Sequence, residues 1–284
     1  SDVFKMKWNG LEVAVKLIKQ NLAPEAHISE AKDFKEEVLI MRKLKHENII
    51  KFIGYCEGNP SIPGAFGVSK RLSIVTEYIK GSPLTNIITN KEARQQTNIS
   101  ENNLRLTILL QIVNGMQYIH TLACGAHRDL KAENIMVSSD LKVKLLDFGV
   151  SKLWQATTRG LSIPTANTIS SVGTPTYMAP EVITFWRGYD KPTQDDWKRA
   201  DVYSFGILLY ELLTWQRAWK DQVLNEINRL VLNGERPLLS DEAFEHSELC
   251  ELTQDCWTTE PSKRPSFKDI FATVLMILAK AKPV

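Results

Sequence analysis

Residues 127–134 read His-Arg-Asp-Leu-Lys-Ala-Glu-Asn, and Asp147-Phe148-Gly149 begins 13 residues after Asn134. The octet packs an acid, a base and an amide into one loop, just ahead of an apolar stretch, Ile135–Val137, that reads as a strand. An aspartate that accepts a hydroxyl proton, a lysine that neutralises a phosphate and an asparagine that ligates a cation are the parts phosphoryl transfer needs. Any one of them alone reads as a surface charge. The whole octet followed at this distance by a second carboxylate does not. Asp147 suits Mg²⁺, which prefers oxygen ligands and phosphate partners, and Gly149 lets the backbone turn sharply.

Working outward, the upstream part is strand-rich. Leu11–Lys19 alternates apolar and polar residues, as a half-buried strand does, and puts Lys16 on the same face as Ala14. Ser29 is placed to cap a helix running to about Leu44, with Phe34, Val38, Met41 and Lys45 on one stripe and Glu36 and Glu37 available to a lysine. Ile49–Tyr55 and Arg71–Tyr78 read as further strands, separated by a loop rich in Gly, Pro and Ser. After Gly81-Ser82-Pro83 the pattern turns helical, with an extended linker expected at the boundary. Leu104, Ile108, Ile112, Met116 and Ile119 recur at helical spacing behind a Ser100 cap. Val143–Leu146 reads as a second short strand after Ile135–Val137. Beyond a Thr- and Ser-rich loop, Asp201–Thr214, Asp221–Asn233 and Ser266–Lys280 read as helices, the first of them apolar almost all round. The expected fold class is α+β in two lobes, residues 1–80 and 81–284.

Taken together, Val13-Ala14-Val15-Lys16, His-Arg-Asp-Leu-Lys-x-x-Asn, Asp-Phe-Gly and Ala179-Pro180-Glu181 resemble the eukaryotic protein kinase signature, in order and over essentially the whole chain. Asp201-Val202-Tyr203-Ser204-Phe205-Gly206 and Cys256-Trp257 with Arg264-Pro265-Ser266-Phe267 extend the match. The resemblance implies a bilobal fold with a small antiparallel sheet and one helix above a larger helical lobe. It implies ATP and Mg²⁺ as cosubstrate and metal. Lys16 matches the lysine that holds the phosphates and Glu37 its helix partner. Thr76 matches the gatekeeper, and the backbone of Glu77 and Ile79 the adenine edge, with Val3, Ala14 and Met136 against the ring. Asp129 matches the catalytic base and Lys131 the lysine on the transferring phosphate, while Asn134 and Asp147 match the metal ligands. Met41, Phe52, His127 and Phe148 match a stacked apolar column, and Glu181 and Arg264 a structural ion pair.

Lys131 and the run Gly173-Thr174-Pro175-Thr176-Tyr177-Met178 resemble serine/threonine kinases, with Thr174 beside Asp129 and Lys131. Cys256-Trp257 and the Arg-Pro-Ser-Phe ending resemble tyrosine kinases. That mixture resembles the tyrosine-kinase-like group, which implies serine/threonine acceptors and leaves dual specificity open. In the loop before Ala-Pro-Glu, Ser170 matches the position of an activating phosphate, with Thr168 and Ser171 as alternatives and Arg128 and Lys152 as partners. Three departures stand out. Ser1 falls where the third glycine of the Gly-rich loop belongs, so that most of this loop and the first strand are expected to precede the chain. Gly125-Ala126 replaces bulky aliphatics and is expected to loosen packing beneath the catalytic loop. The stretch from Phe185 to Lys198 reads as an insertion.

The 284 residues carry 35 basic and 33 acidic side chains, a formal charge of +2. Such a balance gives no bulk field for a polyanion, so no nucleic-acid partner is expected. No apolar run is long enough to span a bilayer, and no N-terminal signal segment is visible. Cys56, Cys124, Cys250 and Cys256 have no metal-ligand spacing and read as reduced thiols of a cytoplasmic chain. The expected partners are a protein substrate, the rest of a larger signalling protein and a second copy for trans-autophosphorylation. The competing reading is a pseudokinase, a binding or scaffolding module without turnover.

Overall fold

The computed structural model describes residues 2–17, 34–35, 37–58, 71–122, 125–147, 175–186, 193–239 and 247–280. Ser29, Glu36, Cys124, Phe148, Gly149, Lys152, Ser170, Thr168, Ser171 and Thr174 lie outside the described residues.

Asn9 and Gly10 both take positive φ and join β1 (Asp2–Trp8) to β2 (Leu11–Leu17) in a tight hairpin. With β3 (Phe52–Gly58) and β4 (Arg71–Glu77) these strands form an antiparallel sheet in the order β1-β2-β4-β3. The alternation in β2 buries Val13, Val15 and Leu17 against Phe4, Met6, Ile53 and Val75 on one face. Ala14 and Lys16 therefore turn to the other face, where Ala14 lies opposite Thr76 and Lys16 opposite Val3. Residues 37–41 are helical, and Val38 and Met41 join the main core.

Several expected boundaries shift. The strand expected over Ile49–Tyr55 begins at Phe52, because Ile49 instead bridges Leu145: Leu145 N–H donates to the Asn48 carbonyl at 2.8 Å and Ile50 N–H to the Leu145 carbonyl at 3.0 Å. Lys45 is exposed and Leu44 is buried, since the helical period no longer applies once the helix has ended near Met41. Gly81–Pro83 is not a linker but β5, which pairs with β6 (Ile135–Ser138), and β6 pairs with β7 (Val143–Leu145). Gly81 has to be glycine there, because a Cβ would lie 2.1 Å from the Val137 carbonyl oxygen.

Helices α1 (Leu84–Thr89), α2 (Lys91–Gln95) and α3 (Glu101–Thr121) follow, and Ser100 caps α3 by accepting from Asn103 N–H at 3.2 Å. After α4 (Pro180–Trp186), α5 runs Gln194–Thr214 and starts earlier than its apolar run suggests. The extra turns are polar apart from the buried Trp197 and Ala200, and they are held by a capping box between Thr193 and Asp196. α5 is the axis of the larger lobe, with Phe205, Ile207, Leu208, Leu209 and Leu212 fully buried. α6 (Leu224–Leu232), α7 (Ser247–Cys256) and α8 (Phe267–Lys280) complete the lobe. α6 starts three residues after the expected Asp221, and Gly234, just past its end, takes positive φ. Gly125 overturns the expectation of loose packing. A Cβ there would lie 2.1 Å from the Ile119 carbonyl oxygen, and Ala126 beside it is buried, so small residues let the chain cross the end of α3 closely.

Candidate active site

The 127–134 loop is suspended from α5. Asp201, 1% exposed, accepts from the backbone N–H of His127 and of Arg128, both at 2.7 Å, and lies 3.0 Å from His120 Nε2. Those bonds hold Arg128 at φ 67°, a left-handed conformation that a side chain disfavours. The His127 imidazole is wholly buried, and burial pushes its pKa below the ordinary value. Its Nδ1 accepts from Asp129 N–H at 3.4 Å, and its Nε2–H donates to the Leu146 carbonyl at 3.0 Å. His127 thus ties the loop to the residue preceding Asp147.

Asp129 sits at the bottom of this turn. Lys131 Nζ donates to both of its carboxylate oxygens, at 2.9 and 2.8 Å. Asn134 Nδ2 donates to its Oδ2 and to its carbonyl, each at 2.8 Å. The amide nitrogen of Asn134 is thus committed inward, which leaves Oδ1 as its ligand atom. Leu146 N–H donates to the Asn134 carbonyl at 2.8 Å, so Asn134 and Asp147 belong to adjacent rungs.

Asp147 takes positive φ and pairs through Oδ1 with Lys16. Its side chain is 44% exposed, so the carboxylate keeps an open side. Lys16 Nζ also lies 3.7 Å from Glu37 Oε1. Burial pulls the Lys16 pKa down, but the carboxylates of Asp147 and Glu37 outweigh it and hold the ammonium above its ordinary value. This lysine is a fixed cation held between two carboxylates. For Mg²⁺ the donors fit: an amide oxygen and an open carboxylate are hard oxygen ligands of the kind it selects.

Ala14, Thr76 and Met136 are half-buried, whereas Val3 is 63% exposed, though its register puts it on the Lys16 face. The Glu77 side chain points away from that face: its Oε1 accepts from Lys144 Nζ at 2.8 Å and from Lys51 N–H at 2.9 Å. Glu77 N–H donates to the Lys51 carbonyl at 3.0 Å. Met41 and Phe52 pack in the same core cluster, and His127 is fully buried. Arg264 donates to both carboxylate oxygens of Glu181, at 2.6 and 2.8 Å, far from Asp129 in sequence and serving the fold.

Two groups went unread as part of the site. Asp201 is the anchor of the 127–134 loop. Glu211, entirely buried, accepts from the Tyr177 hydroxyl at 2.6 Å, and Ala132 N–H donates to that hydroxyl at 3.3 Å. Burial pushes the Glu211 pKa up to about 7. The available signal was an acid inside an otherwise apolar helix, which must be paired to be tolerated.

The protein kinase domain family matches residues 1–276. The chain is similar to the serine/threonine-protein kinase CTR1 of Arabidopsis thaliana, 32% identical over 283 residues, 99% of this chain and 30% of that protein. The probable serine/threonine-protein kinase SIS8 of the same plant is 32% identical over 278 residues, 96% of this chain and 23% of that protein. The serine/threonine-protein kinase STY46 is 33% identical over 271 residues, 95% of this chain and 40% of that protein. The chain thus spans well under half of the curated relatives it matches.

Proposed function

The chain belongs to the protein kinase domain family, and on that premise we propose that it transfers the γ-phosphate of ATP to serine and threonine hydroxyls of protein substrates. What supports this reading is a pair of bonded clusters, Lys16 with Glu37 and Asp147, and Asp129 with Lys131 and Asn134, joined where Leu146 N–H donates to the Asn134 carbonyl. The pseudokinase alternative is not favoured, because no member of that set is substituted.

In this reading Asp129 accepts the proton of the acceptor hydroxyl, and Lys131 and Asn134 fix the orientation of its carboxylate. Lys16, aimed by Glu37, holds the α- and β-phosphates. Asn134 Oδ1 and Asp147 would hold Mg²⁺, which when bound neutralises charge on the transferring phosphate. Val3, Ala14 and Met136 flank the adenine, Thr76 limits the depth of its pocket, and the backbone of Glu77 and Ile79 meets its edge. Thr174 steadies Asp129 and Lys131. Phosphorylation of Ser170, or of Thr168 or Ser171, regulates the enzyme, delivered in trans within a dimer. Residues 1–80 and 81–284 act as the two lobes of one catalytic domain in a larger cytoplasmic signalling protein. Support for that last reading is the small share of each relative that the chain spans. None of the helices described is long and apolar enough to cross a membrane.

The test is phosphotransfer from labelled Mg²⁺-ATP to a mixed protein substrate and to the chain itself, beside Asp147→Asn. Phosphoserine and phosphothreonine that vanish in the variant are expected. A folded chain with no transfer in either form overturns the proposal.

A further inference from the structure

A cleft of about 490 Å³ opens where the end of α3, the first turns of α5 and the start of α8 meet. None of Lys16, Asp129, Asn134 and Asp147 lines it. Val202 and Phe267, both almost wholly buried, give it an apolar floor. Its polar wall is fixed from behind. His120 Nε2 lies 3.0 Å from Asp201, and its ring meets the Phe267 ring edge-on, with centroids 4.8 Å apart. Arg199 Nη1 donates to the carbonyls of Pro261, Ser262 and Arg264 at 3.0, 3.3 and 3.4 Å. Groups already locked by their neighbours lose little freedom when a ligand arrives.

The bonding capacity around the cleft is not balanced. Nε and Nη2 of Arg199 form the edge of the guanidinium that grips an oxyanion through two parallel bonds, and neither has a partner among the described residues. Lys198 and Lys268 also line the cleft, and among the described residues neither is in an ion pair. Arg264 is spent on Glu181. Of the two acids in the lining, Asp269 is engaged at the start of α8, where its Oδ2 accepts from Ser266 N–H at 3.1 Å and from the Ser266 hydroxyl at 2.6 Å. Asp195 is the other. Lys198, Arg199 and Lys268 against Asp195 and Asp269 keep a positive balance, and the open donors outnumber the open acceptors. An apolar cleft of this volume with a few placed polar groups is the ordinary form of a small-ligand site.

We infer that this cleft is a second ligand site, which takes a small organic phosphate, a phosphate monoester carried on an apolar ring or chain. Arg199 grips the phosphate through Nε and Nη2, Lys198 and Lys268 offset its remaining charge, and the apolar body lies on Val202 and Phe267. The planar fork of arginine matches a phosphate in a way the point charge of a lysine does not, so Arg199 is the anchor and the lysines are its support.

The test is isothermal titration calorimetry with phenyl phosphate, on the chain saturated with Mg²⁺ and a non-hydrolysable ATP analogue so that the nucleotide cleft is occupied. Phenyl phosphate is expected to bind saturably, one molecule per chain. Inorganic phosphate and phenol, each lacking half of that ligand, should bind at least about tenfold more weakly. Arg199→Gln should weaken phenyl phosphate about tenfold, the yield of one charge-assisted hydrogen-bonded pair. The double variant Lys198→Ala, Lys268→Ala should weaken it about threefold, and it serves if the Arg199 variant does not fold. Inorganic phosphate that binds as tightly as phenyl phosphate overturns the inference, because the cations then act only as a charged surface. So does the absence of saturable heat, or an affinity that these substitutions leave unchanged. A phosphotyrosine peptide that binds where phenyl phosphate does not overturns the small ligand and makes the guest a protein. Binding here does not depend on phosphotransfer, which the Asp147→Asn comparison tests separately.

Discussion

Asp201→Asn should cut kcat by one to two orders of magnitude while leaving ATP affinity nearly untouched. The Asp201 carboxylate carries three contacts: Arg128 N–H on Oδ1, and His127 N–H and His120 Nε2 on Oδ2. An amide in its place offers one oxygen. Whichever way it is turned, one backbone N–H of the 127–134 loop then faces an NH₂ donor. A hydrogen bond to a charged group contributes about 1.5–3 kcal/mol, and stranding its buried partner costs a similar amount. That bond offsets the roughly 1–2 kcal/mol needed to keep Arg128 left-handed. With it gone, the strained turn is no longer the favoured one, and Asp129 is presented correctly only part of the time. At about 1.4 kcal/mol per decade, the population of the productive loop falls about 10- to 100-fold, and kcat with it. The Lys16 cluster does not touch Asp201, so KM for ATP should change by less than about threefold. The assay is steady-state phosphotransfer well below the melting transition, with circular dichroism to establish folding. A kcat within about threefold of wild type would refute the claim that Asp201 sets the loop.

Two further substitutions test the scaffold. Arg264→Ala removes a fully buried guanidinium that bonds Glu181 and the carbonyls of Thr258, Arg199 and Thr259. Breaking a buried pair costs about 3–5 kcal/mol, and the partial exposure of Glu181 points to the lower end. With unfolding entropy near 2.1 cal/mol/K per residue, calorimetry should find a melting temperature lowered by about 5 °C, and an unchanged value would reject the pair as a stabiliser. Glu211→Gln tests a pH dependence. Its pKa in the fold is about 7 against 4.5 for an ordinary glutamate, so between those values the folded chain keeps a proton the unfolded chain has released. Wild-type stability should therefore fall relative to the variant as pH rises from 4.5 to 7, by an amount on the order of 3 kcal/mol. Urea melts of both proteins at pH 5 and pH 8 measure that double difference, and equal slopes would refute it.

The sequence carried the chemistry of this site further than its support, and the reason is physical. Lys131, Asn134 and Asp129 lie within six positions, so one loop brings them together whatever the rest of the chain does, and a reader of residue types finds them. The strand lysine follows the same logic, since alternation alone turns Lys16 to the face opposite Val13 and Val15. Long-range pairing has no such local trace. That Ile49 would bridge Leu145 instead of continuing β3, or that Gly81–Pro83 would pair with β6, depends on partners about 50 to 100 residues away. Asp201 and Glu211 sit between these cases. Read along the chain they are two acids in an apolar helix, and Glu211 registers only as an interruption of a hydrophobic run. Neither could be buried without donors to satisfy it. Those donors turn out to be His127 N–H and Arg128 N–H for the one, and Tyr177 and Ala218 for the other. An ionisable residue inside an otherwise apolar helix thus predicts that polar backbone comes to meet it. Here the backbone that comes is the 127–134 loop, so the most buried helix of the larger lobe also sets the geometry of the proposed reaction.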